Sequence, residues 1–179
     1  MVLILVRHTT PAVDKGVCYG RTDLDVAETF NDEAAQVFDA LPDFSRIVTS
    51  PLQRCAKLAA YIGERKGVEP QADPRLMEMD FGTWEGRLWS EIPKDELDGW
   101  AKDFLHARPH GGESVNMLQE RTGEAIREID HSKGPVLVVT HLGVMKAALS
   151  SGVTADDFAT NIPFGGIAQI NAEESASHD

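Results

Sequence analysis

Two short apolar runs, far apart in the chain, each deliver a histidine at their end. Val2-Leu3-Ile4-Leu5-Val6 runs into Arg7-His8, and Val136-Leu137-Val138-Val139 runs through Thr140 into His141. An unbroken stretch of branched residues is how a strand buried on both faces of a parallel sheet reads. Open α/β sheets bind their ligands in the crevice outside the carboxyl ends of such strands. Taken alone, Arg7-His8 reads equally well as the polar exit of a core strand. Two strands ending the same way make one shared pocket the economical explanation.

The rest of the chain supplies the helices such a sheet needs. Phe30, Ala34, Val37, Phe38 and Leu41 recur at helical spacing, with Thr29 or Asn31 as a cap, Asp32 and Glu33 in the first turn and Pro42 as the stop. Arg46-Ile47-Val48-Thr49 predicts a short strand. Ser50-Pro51 then predicts a helix start, Ser as N-cap and Pro in the first position, which puts Arg54 in the first turn. A cation there is electrostatically unfavourable unless an anion is close. Ser114 reads as the N-cap of a helix reaching about residue 130. Residues 166–170 read as a last strand at an edge, and residues 172–179 as a polar, frayed end.

Three connecting stretches carry chemical interest. The loop from Thr9 to about Asp25 is long, and it holds Cys18-Tyr19-Gly20-Arg21-Thr22-Asp23. Arg21 and Thr22 could reach a phosphate there; a surface salt bridge and a turn is the competing reading for Arg21. Glu78 sits between Met77 and Met79, apolar company that favours a protonated carboxyl and hence a general acid. Phe81 and Trp84 after it read as core aromatics. Residues 89–107 are polar with anchors at Trp89, Ile92, Leu97, Trp100, Phe104 and Leu105, which predicts one or two helices laid over the site as a cap. The turn Pro109-His110-Gly111-Gly112-Glu113-Ser114 could let backbone amides approach an anion.

Composition narrows the partners. A formal net charge of −12 and a pI near 4.8 argue against nucleic acid or an anionic membrane. A few arginines in a cleft can still hold a small anion. Cys18 and Cys55 have no close Cys or His spacing, so they form neither a zinc site nor a disulfide framework. No stretch is long enough to span a bilayer, and the first apolar run is too short for a signal sequence. A cytoplasmic protein is expected. The 179 residues favour one domain over 1–179, with a helical cap inserted at about 85–110.

Arg7, His8, Arg54, Glu78 and His141 together suit phosphoryl transfer. Two guanidiniums bind a phosphate dianion through parallel N–H···O pairs. One neutral imidazole can attack phosphorus and carry the phosphoryl group. A second, protonated histidine can donate to the phosphoryl oxygens as the bond breaks. The set needs no metal and no other cofactor. A zinc site from the two histidines and Glu78 competes, but two arginines beside a divalent cation oppose it.

Five motifs carry a resemblance to a known family. They are Leu5-Val6-Arg7-His8, Thr49-Ser50-Pro51-Leu52-Gln53-Arg54-Cys55, the stretch Leu76-Met77-Glu78-Met79-Asp80-Phe81-Gly82-Thr83-Trp84-Glu85-Gly86, Gly111-Gly112-Glu113-Ser114, and Val139-Thr140-His141-Leu142-Gly143-Val144. In this order and spacing the chain resembles the histidine phosphatase superfamily, which contains the cofactor-dependent phosphoglycerate mutases and many phosphatases. The resemblance implies an α/β fold: a three-layer α/β/α sandwich around a doubly wound, mostly parallel sheet with a small helical cap. It implies a phosphorylated nucleophile at His8, phosphate binding by Arg7, Arg54 and His141, and proton transfer by Glu78. Thr22 matches a family position near the pocket. Tyr19, Arg21, Gly112, Glu113 and Leu142 are further expected substrate contacts, and a small phosphomonoester is the expected partner. A homodimer is compatible with such a chain.

One departure stands out. The commonest version of the family follows the histidine with Gly-Glu-Thr and an Asn that helps line the phosphate pocket. Here Thr9, Thr10 and Pro11 follow, and Asp14 falls where that Asn would be. An Asp would repel a phosphate, so the role does not carry over. The run from Arg7 to Asp23 looks most like the α-ribazole phosphatase branch, whose members remove the 5′-phosphate of α-ribazole phosphate in cobalamin biosynthesis. The alternatives are a broad-specificity phosphatase, a mutase, a phosphohistidine-protein phosphatase and a non-catalytic phosphate-binding protein. Mutases usually have longer insertions around the acid motif and a longer tail. Phosphohistidine-protein phosphatases are poor in cap, which the 89–107 segment opposes. A non-catalytic relative is expected to lose His8, Glu78 or His141, and all three are present.

Overall fold

A computed structural model describes residues 2–150 and 152–171. Its strands are β1 (Val2–Arg7), β2 (Arg46–Thr49), β3 (Pro70–Ala72), β4 (Val136–Thr140) and β5 (Ile167–Asn171). They form one sheet in the order β3-β2-β4-β1-β5. The pairs β1–β4, β2–β4 and β2–β3 are parallel, and β5 runs antiparallel to β1 at the edge. The helices are α1 (Phe30–Ala40), α2 (Gln53–Lys66), α3 (Lys94–Lys102), α4 (Val115–Glu128) and α5 (Leu142–Leu149).

Side-chain alternation in the strands divides the core in two. Leu3, Leu5, Val136 and Val138 pack with Leu118 and Ala125 of α4 and with Val144 and Met145 of α5. Ile4, Val6, Leu137 and Val139 pack on the other face, with Ala34 and Val37 of α1 and Leu58 and Ile62 of α2. Both faces of β1 and β4 are therefore covered, which is why their sequences read as unbroken apolar runs. Each fully buried Val, Leu or Ile contributes about 1.5–3 kcal/mol relative to exposure. The result is the expected three-layer sandwich. The expected frayed tail at 172–179 lies outside the described residues.

The helix ends differ from expectation in instructive ways. Thr29 does not cap α1 with its side chain; its hydroxyl donates to Glu33 Oε1 at 2.5 Å. Leu41 turns extended because Pro42 disfavours helical geometry in the residue before it. Helix α2 begins at Gln53, two residues beyond the expected start. Ser50 Oγ accepts from the Leu52 amide, at 3.3 Å, while the Gln53 amide, the first of α2, donates to Asp23 Oδ1 at 2.7 Å. The cap of α2 thus comes from the loop after β1, far away in sequence. Ser114, by contrast, caps α4 as expected, accepting from the Met117 amide at 3.2 Å.

The cap segment holds a single α-helix, α3, preceded by a short turn of 3-10 helix at Trp89–Glu91. Trp84 is wholly buried beneath it, and its indole Nε1 donates to Glu96 Oε2 of α3 at 2.6 Å. Edge-to-face contacts join Trp84 to Trp89 and to Trp100. None of the described helices is long and apolar enough to cross a membrane.

Candidate active site

Sheet register brings the two histidines together. Arg7 pairs with Thr140, and Thr49 pairs with Val139. One step past these pairs, His8, His141 and Ser50 emerge from three neighbouring parallel strands at their carboxyl ends. The rings of His8 and His141 stand 5.2 Å apart, centre to centre, inclined at 62°.

His8 is 1% exposed, and its Nδ1 lies 2.7 Å from the Thr9 carbonyl oxygen. A carbonyl can only accept, so Nδ1 carries the proton and Nε2 keeps its lone pair. Burial is the largest influence on this ring, and Arg54 and Arg7 add to it. Together they push its pKa down to about 3, so the imidazole is neutral at ordinary pH. His141 is fully buried, with Nε2 2.8 Å from Ser50 Oγ and 3.4 Å from Cys55 Sγ. Burial first, then His8 and Arg54, hold its pKa well below the usual histidine range. The sequence reading expected this ring protonated. The protein surroundings alone keep it neutral, and a phosphoryl dianion beside it would favour the imidazolium.

The two arginines are anchored from opposite sides. Arg7 Nη1 donates to the Ile162 carbonyl at 2.6 Å, and its guanidinium carbon lies 4.0 Å from the centre of the Phe164 ring. Arg54 is wholly buried at the start of α2; its Nη1 and Nη2 donate to the carbonyls of Thr22 and Gly20 at 2.8 and 2.6 Å. The Nε atoms of both arginines are buried and, among the described residues, find no acceptor. A buried donor without a partner costs about 1–3 kcal/mol, more for a charged group. Two such donors beside His8 fit an oxyanion.

Glu78 is nearly buried in a cavity wall rich in apolar side chains, and backbone amides hold its carboxylate there. Its Oε1 accepts from the Met79 amide at 2.9 Å, and its Oε2 from the Gly143 amide at 3.1 Å. The second bond seats the carboxylate on the N-terminus of α5. Its backbone is held too: Arg121 Nη2 donates to the Glu78 carbonyl at 3.1 Å.

Arg7, His8 and Glu78 open onto a cavity of about 440 Å³, and Arg54 and His141 are wholly buried behind it. Arg7, His8, Tyr19, Glu78 and Lys146 supply the polar wall. Val17, Met79, Phe81, Trp89, Trp100, Phe104, Val115, Leu118, Leu142, Ala155 and Phe158 supply an apolar one. The cap residues Trp89, Trp100 and Phe104 thus face the space that a leaving alcohol would fill. Among the described residues no three His, Cys, Asp or Glu side chains are grouped to hold a metal ion.

The structure brings Arg7, His8, Tyr19, Arg54, Glu78, His141 and Leu142 together, and places the other expected contacts elsewhere. The Thr22 hydroxyl donates to Glu85 Oε2, so it is committed to that carboxylate and not to a phosphate. Arg21 reaches toward Glu113 Oε1 at 4.0 Å and is absent from the cavity wall. The Gly112 amide donates to His110 Nδ1 at 2.9 Å and the Gly111 amide to the Arg108 carbonyl, which leaves neither free to cradle an anion. Glu113 is buried against Arg121, whose Nε and Nη2 meet its two oxygens at 2.6 and 2.9 Å. Gly112 and Glu113 are thus supports of the acid segment. Asp14 is exposed and outside the cavity. Sequence reasoning missed Arg121 and Lys146. Lys146 lies one helical turn past Leu142, a spacing that could have flagged it; nothing local flags Arg121.

The chain is similar to known proteins over nearly its whole length. The family model of the histidine phosphatase superfamily (branch 1) matches residues 3–168. The glucosyl-3-phosphoglycerate phosphatase of Mycobacterium tuberculosis is 28% identical over 192 residues, covering 98% of this chain and 85% of its own length. The adenosylcobalamin/alpha-ribazole phosphatase of Salmonella typhimurium is 28% identical over 162 residues, covering 86% and 80%. Among solved structures, the mycobacterial glucosyl-3-phosphoglycerate phosphatase in complex with inorganic phosphate superposes with a TM-score of 0.81 at 26% identity, over 95% of this chain and 89% of its own. This chain belongs to the histidine phosphatase superfamily.

Proposed function

We propose that this chain is a metal-independent phosphomonoesterase acting through a phosphohistidine at His8, and that it hydrolyses α-ribazole 5′-phosphate. The observation that carries the reaction is the His8 ring, neutral, with Nδ1–H tied to a carbonyl and Nε2 bare beside two cationic guanidiniums. Nε2 attacks phosphorus as the bond to the leaving oxygen breaks, and Glu78 gives that oxygen its proton. Water then attacks the phosphohistidine, Glu78 takes a proton back, and the P–N bond breaks to release phosphate. Arg7, Arg54 and His141 neutralise the phosphoryl oxygens throughout.

The substrate rests on the shape of the cavity and on the branch resemblance. A wall of Phe81, Trp89, Trp100 and Phe104 suits a flat aromatic group, such as the benzimidazole of α-ribazole. It offers little to a glycerate, a serine or a sugar. Among the described residues, Lys146 is the one cation besides Arg7 that lines the cavity.

The test is phosphate release in EDTA by the wild type and by His8→Ala. The panel holds α-ribazole 5′-phosphate, phosphoserine, 3-phosphoglycerate, glucosyl-3-phosphoglycerate and an aryl phosphate. The proposal expects release that survives EDTA, vanishes in the variant, and shows kcat/KM at least about tenfold higher for α-ribazole 5′-phosphate, the value of one well-placed apolar contact. Loss in EDTA, or substantial release by His8→Ala, overturns the mechanism. Equal kcat/KM across the panel overturns the substrate while keeping the chemistry. Tight binding without release favours a phosphate-binding protein.

A further inference from the structure

The segment Cys18-Tyr19-Gly20 holds one phenol in the wall of the cavity that Arg7 and His8 line. Residues 17–18 are bound to residues 86–88: Val17 bridges Leu88, the Cys18 amide donates to the Arg87 carbonyl at 2.7 Å, and the Gly86 amide donates back to the Cys18 carbonyl at 2.9 Å. Cys18 is wholly buried against Trp84 and Ile92. Gly20 packs directly on the chain of the acid segment, where a Cβ would lie 1.9 Å from the Met79 carbonyl oxygen. Tyr19, held between them, lines the cavity with Arg7 and His8. Its ring centre lies 5.3 Å from the guanidinium carbon of Arg54.

We infer that the Tyr19 hydroxyl donates a hydrogen bond to a phosphoryl oxygen. Arg7 and Arg54 carry only donors, so neither can take the phenol's proton, and the Tyr19 O–H is left for an oxyanion bound beside them. Burial raises the pKa of the phenol, so the proton to be donated is present at working pH. Arg7 and Arg54 bring charge to the site, and a phenol adds a directed bond without further charge. The contact would grow as negative charge on the phosphoryl oxygens shifts in the transition state. This role rests on the phosphatase reading above.

Two variants test it, with orthovanadate as the probe of the phosphoryl site. Tyr19→Phe keeps the ring over Arg54 and removes the hydroxyl. It should lower kcat/KM about tenfold or more and raise the vanadate inhibition constant by a similar factor. An unchanged inhibition constant overturns the inference. The chain has two tyrosines, so a Tyr61→Phe background with fluorotyrosine places the label at Tyr19 alone. A fluorinated phenol is a stronger donor and a weaker acceptor. Tighter vanadate binding at a pH where it remains protonated supports donation to the phosphoryl group. Weaker binding means that the oxygen serves only as an acceptor, and the inference fails. Because both comparisons start from His8-dependent activity of the parent enzyme, failure here is distinct from failure of the phosphatase reading.

Discussion

A methyl group on the α-carbon of Gly143 would sit 2.2 Å from Oε1 of Glu78 and 3.1 Å from its Cδ. Glycine at the second position of α5 is therefore what lets the carboxylate reach the Gly143 amide. The helix could hold an alanine there at no backbone cost; indeed it would gain propensity. Gly143→Ala is accordingly expected to leave folding intact and push Glu78 off its seat. Proton transfer by a positioned acid is worth about 10²–10⁴-fold. The variant should lose at least about tenfold in kcat on an alkyl phosphate, whose leaving oxygen needs a proton. On an aryl phosphate with a stable phenolate it should lose little. Equal losses on both substrates would mean that Gly143 serves the phosphoryl site and not the acid.

His8 links stability to pH. Its pKa is near 3 in the fold, against 6.5 for an ordinary solvated histidine. Above pH 6.5 the ring is neutral in both the folded and the unfolded chain and contributes no pH dependence. As pH falls from 6.5 toward 3, the unfolded chain takes up a proton that the folded ring refuses, so stability is lost. At 1.36 kcal/mol per unit, the cost at pH 4.5 is about 2–3 kcal/mol. His8→Asn removes this burden. Urea unfolding in phosphate-free buffer at pH 7 and pH 4.5 should show the wild type losing about 2–3 kcal/mol more than the variant. Parallel losses would show that the ring is not held neutral.

Much of the fold was legible because the signals were local. The double-sided burial of β1 and β4 is written as unbroken apolar runs, and the α4 cap is written as Ser114. What escaped is held by contacts between distant segments. Asp23 caps α2 across the fold, so Ser50-Pro51 gave the wrong start. Thr22 and Gly112 sit in motifs that point to an anion, yet each spends its polar group on a neighbour, Glu85 and His110. The backbone amides that hold Glu78 are beyond what a side-chain pattern reveals. The cavity wall is assembled from loop, cap, α4 and α5, and its aromatic character emerges only when Phe81, Trp89, Trp100 and Phe104 converge.

Arg121 is the clearest case of a residue that sequence could not flag. It joins three parts of the acid segment: the Glu113 carboxylate, the Arg75 carbonyl at 2.6 Å and the Glu78 carbonyl at 3.1 Å. Removing one partner of a buried ion pair leaves an uncompensated charge and costs about 3–5 kcal/mol. Arg121→Met should be destabilised by about that much, since the Glu113 carboxylate keeps only the Asp80 amide, at 3.3 Å, and the distant Arg21. Adding Glu113→Gln replaces the stranded charge with a neutral amide, so the double variant should recover part of the loss. Catalysis should not recover with it, because the bonds from Arg121 to the Arg75 and Glu78 carbonyls are gone in both. Urea midpoints and kcat on an alkyl phosphate, measured side by side, separate the two effects. If activity returned together with stability, Arg121 would be a folding element alone, and the position of Glu78 would be fixed by Met79 and Gly143 without it.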